Sequence, residues 1–214
     1  MEPDNQPKVE CGRLELYLGP MFSSKSSTLI AKITQYADLG FDCLYINHEQ
    51  DTRDCIDEIS THNSGYKGLS ENVDFIKIDD LSLIVPEEYS IISVDECQFF
   101  QNLVENVTKW VDMGKIVLVA GLDGDYRRKP IGETIQLVCL ADVVVKLQAK
   151  CVECLKNKKL TDAPFTHRTT QQTDQIVVGG GDIYKPVCRK CYIELNKINV
   201  DTNEPSEDLI LDEH

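Results

Sequence analysis

The residues best suited to chemistry lie between a short apolar strand and a helix, in the run Gly19-Pro20-Met21-Phe22-Ser23-Ser24-Lys25-Ser26. This run follows the phosphate-loop pattern G-x-x-x-x-G-K-[ST], except that Ser24 occupies the position of the second glycine. In such a loop, backbone N–H groups and the N-terminus of the next helix bind phosphate oxygens. Lys25 would contact the β- and γ-phosphates, and the Ser26 hydroxyl would bind Mg²⁺. The run therefore predicts a nucleotide-binding site.

The serine at position 24 leaves two outcomes open. If its backbone is right-handed or extended, the residue costs little and its hydroxyl could donate to a phosphate oxygen. If the position requires a positive φ, Ser24 costs about 1 kcal/mol or more. We expect an intermediate case, in which the site works with weakened ATP affinity.

A second candidate is the acidic pair Asp95-Glu96, which follows the apolar run Ile91–Val94. An apolar strand that ends on Asp is typical of a Walker B segment, whose carboxylate holds Mg²⁺ directly or through water. An acid after a strand more often caps a helix or lies in a solvated turn, but the upstream phosphate loop favours the catalytic interpretation. The neighbouring Glu96 could then take a proton from an attacking hydroxyl group.

Two cysteine pairs form the third candidate, Cys151-x-x-Cys154 and Cys188-x-x-Cys191. Each pair has zinc-knuckle spacing, and four thiolates complete a closed tetrahedral structural site. The alternative is a set of reduced core thiols or a redox pair. Since residues 155–187 separate the pairs, zinc would hold together the ends of a long loop and lower the entropy lost on ordering it. Long loops of this kind often cover active sites.

Alternating strands and helices are predicted to position these residues. Strands are predicted at Leu14–Leu18, Cys43–Ile46, Val73–Ile78 (an edge strand), Tyr89–Val94 and Ile116–Ala120; helices at Thr28–Leu39 and Leu103–Asp112; and further apolar segments at Ile135–Leu140 and Val143–Leu147. The continuous apolar strands favour a mostly parallel sheet covered on both faces by helices. Ligands bind such sheets beyond the carboxyl ends of the strands, where Gly19, Asp51, Asp95 and Asp123 lie.

Composition excludes several classes of function. The chain has 214 residues, of which 42% are hydrophobic and 27% charged, and a formal net charge of −14. That charge argues against binding to nucleic acid or to an anionic membrane. No apolar run reaches the roughly 18 residues of a transmembrane helix, and the polar N-terminus does not resemble a targeting signal. We therefore expect a cytoplasmic protein whose nine cysteines are reduced or bind metal rather than form disulfides.

Several motifs in this order resemble the type II thymidine kinases, the zinc-containing cellular, bacterial and poxviral family. They are GPMFSSKS, DTR at 51–53, DECQFF at 95–100, LDGDYRRKP at 122–130, the two CxxC pairs, FTHR at 165–168 and VGGGDIYKPVCRKCY at 178–192. The resemblance extends from about residue 13 to 193. It implies a P-loop (RecA-like) α/β fold with a mostly parallel sheet and a small zinc-stapled lasso domain. It also implies ATP-dependent phosphorylation of the 5′-hydroxyl of thymidine and deoxyuridine, with Mg²⁺ and structural Zn²⁺ as cofactors, by a homotetramer or dimer.

The resemblance also assigns roles to individual residues. Glu96 matches the general base, Lys25 the catalytic lysine, and Arg53 the arginine near the transferred phosphate. The ATP and Mg²⁺ site would comprise Gly19, Pro20, Met21, Phe22, Ser23, Ser24, Lys25, Ser26, Ser27, Asp51, Asp95 and Gln98. The thymidine site would comprise Met21, Phe99, Leu122, Tyr126, Thr166, Val178, Gly179 and Tyr184, and the zinc site Cys151, Cys154, Cys188 and Cys191.

These assignments imply four regions. They are an N-terminal arm (1–12), a nucleotide-binding α/β domain (13–148), a zinc and lasso domain that binds the nucleoside (149–195) and an acidic, disordered tail (196–214).

The sequence departs from the family at three positions. Ser24 replaces the loop glycine, while Tyr126 and Ile131 stand where eukaryotic members have Phe. Two other functions stay open. One is a nucleotide- or nucleoside-binding homologue that has lost catalysis through Ser24. The other is a zinc-ribbon ATPase that binds nucleic acid through its basic residues, Arg127, Arg128, Lys129, Lys156, Lys158 and Lys159.

Overall fold

The computed structural model describes residues 7–51, 73–177 and 179–201, with the side chains of residues 198–201 excepted. Two predicted site residues, Arg53 and Val178, lie outside these ranges. Residues 1–6 of the predicted arm and residues 202–214 of the predicted tail lie outside them as well.

A six-stranded parallel sheet forms the centre of the molecule, which confirms the predicted fold class. Its strands are β1 (Arg13–Gly19), β2 (Cys43–His48), β3 (Val73–Ile78), β4 (Ile91–Val94), β5 (Ile116–Leu122) and β6 (Val143–Lys146). Their order across the sheet is β3-β2-β4-β5-β1-β6, and every neighbouring pair is parallel. Strand β3 lies at one edge, as predicted. The carboxyl ends of the central strands therefore meet at one end of the sheet.

Two longer helices accompany the sheet, α1 (Lys25–Asp38) and α2 (Leu103–Asp112). Helix α1 begins three residues earlier than predicted, because the Ser24 carbonyl already accepts the first helical hydrogen bond from the Thr28 N–H at 3.0 Å. Helix α2 has the predicted bounds. Of the two further apolar segments, the one at 135–140 lies mostly in a 3₁₀ helix, Thr134–Cys139, and the one at 143–147 forms β6.

The strand β1 divides the hydrophobic core between the two faces of the sheet. Leu14, Leu16 and Leu18 pack in one cluster with Trp110 of α2, whereas Tyr17 packs in a second cluster with Ile33 of α1. This alternation follows from the two-residue period of a strand. Each fully buried leucine contributes about 1.5–3 kcal/mol to folding. The two packed faces fix the position of the strand end that carries the phosphate loop.

A smaller unit follows β6. It contains two short antiparallel pairs, β7 (Ala149–Lys150) with β8 (Asp162–Ala163) and β9 (Phe165–Arg168) with β10 (Tyr184–Val187). Helices α3 (Val152–Lys156) and α4 (Arg189–Asp201) complete it, and α4 extends past residue 196, where the acidic tail was predicted to begin. We call residues 169–183, which connect β9 to β10, the lasso loop. Among the described residues, no helix is long and apolar enough to cross a membrane.

Candidate active site

The phosphate loop is held in place by close backbone packing and by internal hydrogen bonds. At Gly19, a Cβ atom would lie 2.5 Å from the Leu147 carbonyl oxygen, so only glycine fits where β1 ends. The hydroxyl of Ser23 and the ammonium of Lys25 each donate to the Pro20 carbonyl, both at 2.8 Å. The loop is thus folded around its own backbone, with the Lys25 side chain buried.

The backbone at Ser24 is left-handed, with φ 63° and ψ 30°. Of the two outcomes left open by the sequence, this geometry selects the second, in which the position has a positive φ. Glycine would occupy it without strain. Phe22, two residues earlier, is also left-handed with φ 65°. A non-glycine residue in this region costs about 1 kcal/mol or more. The Ser24 side chain is exposed and makes no capping hydrogen bond to α1.

The acidic pair lies just past the end of β4, where both carboxylates are buried and hydrogen-bonded. Asp95 accepts from the Tyr45 hydroxyl at 2.8 Å and from the Glu96 N–H at 2.9 Å. The Glu96 carboxylate accepts from the Gln98 side-chain amide at 2.5 Å, and Gln98 in turn accepts from the Leu122 N–H at 3.0 Å. A backbone group of β5 therefore orients Gln98, and Gln98 orients Glu96. This is the arrangement expected of a general base held by a third group.

A third acidic residue, Asp51, lies just past the end of β2. Its side chain accepts from the Asn47 amide at 3.0 Å, and its carbonyl accepts from Lys77 Nζ at 3.0 Å. Next to it, His48 packs against the rings of Phe99 and Phe100, with centroid distances of 5.4 and 4.7 Å. Burial lowers the pKa of His48, so its ring is neutral and its Nδ1 accepts from the Gln50 N–H at 3.0 Å.

A single cavity connects the two halves of the predicted site. Its volume is about 890 Å³, including the solvent space at its opening. The phosphate side contributes Met21, Lys25, Asp51, Glu96 and Gln98 to its wall. The nucleoside side contributes Phe99, Leu122, Tyr126, Thr166, Gly179 and Tyr184. Every predicted thymidine-site residue that the structure describes thus lines one space. The other predicted phosphate-loop residues and Asp95 are not part of this wall.

The phosphate loop and the smaller unit are joined directly beside the cavity. The Met21 N–H donates to the Thr166 hydroxyl at 3.0 Å, and Thr166 is buried in β9. Because Met21 belongs to the phosphate loop and Thr166 to the strand that leads into the lasso loop, this bond links the two predicted binding regions.

Sequence reasoning missed several residues of the cavity wall. Gln50, Gln175, Ile176 and Val177 were not assigned to the site. Gly124, Asp125 and Gly180 were noted only within the motifs at 122–130 and 178–192, and Ile131 only as a departure from the family. Gln50 and Asp125 adjoin assigned residues in sequence and could have been found by that proximity. Gln175 and Ile176 carry no local signal, since they reach the wall through the fold of the lasso loop.

The four predicted zinc ligands converge in the smaller unit. All four sulfur atoms lie within 4.8 Å of one another. Cys154 Sγ lies 3.8 Å from Cys188 Sγ and 3.7 Å from Cys191 Sγ. Four sulfurs at the usual Zn–S distance of about 2.3 Å in a tetrahedron would be about 3.8 Å apart. The donor set and its spacing therefore fit one structural Zn²⁺ ion.

Comparison with known proteins agrees with this geometry. The family model "Thymidine kinase" matches residues 12–192. The chain is 37% identical to the thymidine kinase of vaccinia virus strain Western Reserve over 183 residues, which are 86% of this chain and 98% of that protein. It is 38% identical to the variola virus thymidine kinase over the same shares of the two chains. With the raccoon poxvirus thymidine kinase it shares 37% identity over 85% of this chain and 97% of that protein.

Among solved structures, the flagellar accessory protein FlaH from Methanocaldococcus jannaschii is similar with a TM-score of 0.49 and 13% identity, over 78% of this chain and 76% of that one. This likeness carries no weight beside the sequence comparisons. The match to the family model covers most of the chain, and the relatives align over nearly their whole length. The chain therefore belongs to the thymidine kinase family.

Proposed function

We propose that this protein transfers the γ-phosphoryl group of ATP to the 5′-hydroxyl of thymidine or deoxyuridine. The observation that carries the proposal is the single cavity, which brings Lys25 of the phosphate loop and the carboxylate of Glu96 together with the aromatic walls Phe99 and Tyr126. Family membership supports the choice of thymidine as the nucleoside.

Each group of residues has a separate role in this reaction. The backbone N–H groups of the phosphate loop and Lys25 hold the phosphates, while Ser26, Asp51 and Asp95 are the oxygen donors near which Mg²⁺ would bind. When bound, Mg²⁺ neutralises negative charge on the phosphates. Glu96 takes the proton of the 5′-hydroxyl, whose oxygen then forms a bond to the γ-phosphorus as the bond to ADP breaks.

The walls of the cavity are suited to a flat base, and family membership favours a pyrimidine. Phe99 and Tyr126 supply aromatic surfaces and Leu122 an aliphatic one. The lasso loop supplies backbone groups, which recognise the edge of a base without losing side-chain entropy. We expect thymidine and deoxyuridine to be phosphorylated and purine nucleosides to be rejected. Efficient phosphorylation of deoxyguanosine would contradict this pocket.

Cofactors, assembly and location complete the proposal. Cys151, Cys154, Cys188 and Cys191 would hold one Zn²⁺ ion, which stabilises the small core around them. The family resemblance further suggests a homotetramer, or a dimer, in the cytoplasm, and light scattering of the purified protein would measure its mass.

Three of the six basic residues named for the nucleic-acid-binding alternative are paired within the protein. Arg127 pairs with the buried Asp125 at 3.3 Å, and the Arg128 guanidinium stacks on the Tyr192 ring at 4.4 Å. Lys156 is paired with Glu153 at 2.6 Å. These cations already have partners within the protein.

Replacement of Glu96 by Gln tests the proposed reaction. The change keeps the shape of the side chain and its contact with Gln98 but removes the base, so kcat for thymidine should fall by about 10² to 10⁴. Thymidine affinity should stay nearly constant, because Gln keeps the size of the side chain and the nucleoside side of the wall is not altered. Glu105→Gln, the same change on the exposed face of α2, is the control. A loss of only a few-fold would mean that Glu96 is not the base.

A further inference from the structure

The lasso loop is joined to the opposite wall of the cavity by hydrogen bonds that have no part in the proposed phosphoryl transfer. Segment 172–177 of this loop contributes Gln175, Ile176 and Val177 to the wall, opposite Asp125 and Tyr126. Among the hydrogen bonds that cross from one side to the other, two involve Asp125 and Tyr126. They join Gln175 to Asp125 and the Tyr126 hydroxyl to the Thr173 carbonyl, at 3.1 and 3.2 Å.

Asp125 is the fixed side of this connection. It is 5% exposed. One of its carboxylate oxygens accepts from the N–H groups of Arg127 and Lys129, each at 2.8 Å. The other accepts from Arg127 Nε at 3.3 Å and from the Gln175 amide. The carboxylate therefore shapes its own turn with one oxygen and holds the lasso loop with the other.

Gln175 is the lasso-loop side of the connection, and its partners lie in a different part of the chain. Its amide nitrogen donates to Asp125 and also to the Pro130 carbonyl at 3.0 Å. These two acceptors lie at either end of the turn that carries Tyr126. One side chain thus spans the turn, and it sets how segment 172–177 lies across the cavity.

Buried Arg168 connects the residues of segment 172–177 to one another. Its guanidinium donates to the carbonyls of Gln172, Asp174 and Gln175, and it stacks on the Tyr126 ring at 3.8 Å. Because the segment is ordered around a single guanidinium, a bond at Gln175 positions its neighbours as well.

We infer that Asp125 and Gln175 are a pair of positioning residues, which hold segment 172–177 of the lasso loop in its nucleoside-binding position. The inference rests on the proposed function, because the ligand of this cavity is taken to be thymidine. Neither side chain acts on the reacting atoms. Their loss should therefore weaken nucleoside binding while leaving the phosphoryl-transfer step intact.

Gln175→Ala is the direct test, because the exposed position keeps the fold out of question. In the zinc-loaded protein, the dissociation constant and KM for thymidine should rise about tenfold or more, because the variant loses the hydrogen bond to the charged Asp125 and also the one to the Pro130 carbonyl. The kcat and the KM for ATP should stay unchanged. Gln171→Ala is the matched control, since Gln171 lies in the same loop, is exposed and makes no hydrogen bond within the described ranges.

An exchange of partners separates positioning from a general loosening of the loop. Gln175→Glu alone should weaken binding more than Gln175→Ala, because two carboxylates would then face each other. Adding Asp125→Asn should recover part of the affinity, since the new amide at position 125 can donate to the new carboxylate at position 175 while its oxygen still accepts from the N–H groups of Arg127 and Lys129. The recovery should be incomplete, because Arg127 Nε loses its acceptor and the Pro130 carbonyl faces the new carboxylate. Failure of this double variant to bind better than Gln175→Glu would overturn the inference.

Amide hydrogen exchange in the absence of nucleoside gives an independent reading. Residues 172–177 should exchange faster in Gln175→Ala than in the wild type or in Gln171→Ala. If Gln175→Ala changes neither the exchange rate of these amides nor the dissociation constant for thymidine, the positioning role of Asp125 and Gln175 is refuted, while the proposed function stands. Failure of the wild-type protein to bind thymidine would instead refute the proposed function.

Discussion

The left-handed serine in the phosphate loop makes a quantitative prediction about ATP affinity. At φ 63°, Ser24 bears a strain of about 1 kcal/mol relative to glycine. In the free protein this strain favours loop conformations other than the phosphate-binding one, and apparent affinity falls with the population of the competent form. One kcal/mol corresponds to about a fivefold change in a binding constant. Ser24→Gly should therefore lower the KM for ATP by up to about fivefold.

Stability should respond less than affinity to the same change. Glycine relieves the strain of the folded loop but raises the entropy of the unfolded chain by about 0.4–1 kcal/mol. The two effects largely cancel, so the free energy of unfolding should change by no more than about 0.6 kcal/mol. Urea denaturation of both proteins would measure this difference.

Steady-state kinetics with ATP and thymidine varied in turn provide the assay. The thymidine KM should hardly change, because the Ser24 side chain is absent from the nucleoside cavity wall. Ser24→Ala is the control: it keeps the strained Cβ and removes only the hydroxyl, so it should behave like the wild type. An unchanged or higher ATP constant in Ser24→Gly would refute the strain argument. Activity seen only in Ser24→Gly would make the natural protein a binding homologue.

Two further predictions concern zinc and pH. Elemental analysis should find one Zn²⁺ per chain. Cys188→Ser should release the ion, whereas Cys139→Ser, at an exposed cysteine outside the cluster, should retain it. Full activity of a metal-free protein would contradict the structural role of zinc. Burial lowers the pKa of both His48 and His167 in the folded state. As the pH falls below about 6.5, the unfolded chain therefore binds protons first, and the free energy of unfolding should decrease. His48→Gln should reduce this dependence in urea titrations at pH 7.5 and 6.0, and an identical slope in both proteins would show that His48 makes no contribution.

Most of the sheet could be predicted because its strands are marked by strong apolar runs with polar ends. The residues at the carboxyl ends of β1, β2 and β4 were also predictable, since parallel topology places strand ends together. The four cysteines were predictable for a different reason, as their chemistry is carried by spacing within each pair. In each case the signal is local in the sequence.

The remaining features depend on contacts that the sequence does not encode locally. The left-handed φ of Ser24 occurs in a loop whose Lys25 side chain folds back onto the Pro20 carbonyl, and the orientation of Glu96 follows from a β5 backbone group acting through Gln98. The contact between Asp125 and Gln175 joins residues separated by fifty positions. Such long-range hydrogen bonds have no periodicity and become visible only in the folded chain.

Transfer of the labelled γ-phosphate of ATP to thymidine by the purified, zinc-loaded protein is the decisive measurement for the proposed function. The wild type should give labelled thymidine 5′-monophosphate and Lys25→Ala little or none, because Lys25 is proposed to hold the phosphates. No labelled nucleotide from the wild type at saturating ATP, Mg²⁺ and thymidine would contradict the proposed function. Equal labelling by Lys25→Ala would contradict the assignment of the phosphate loop.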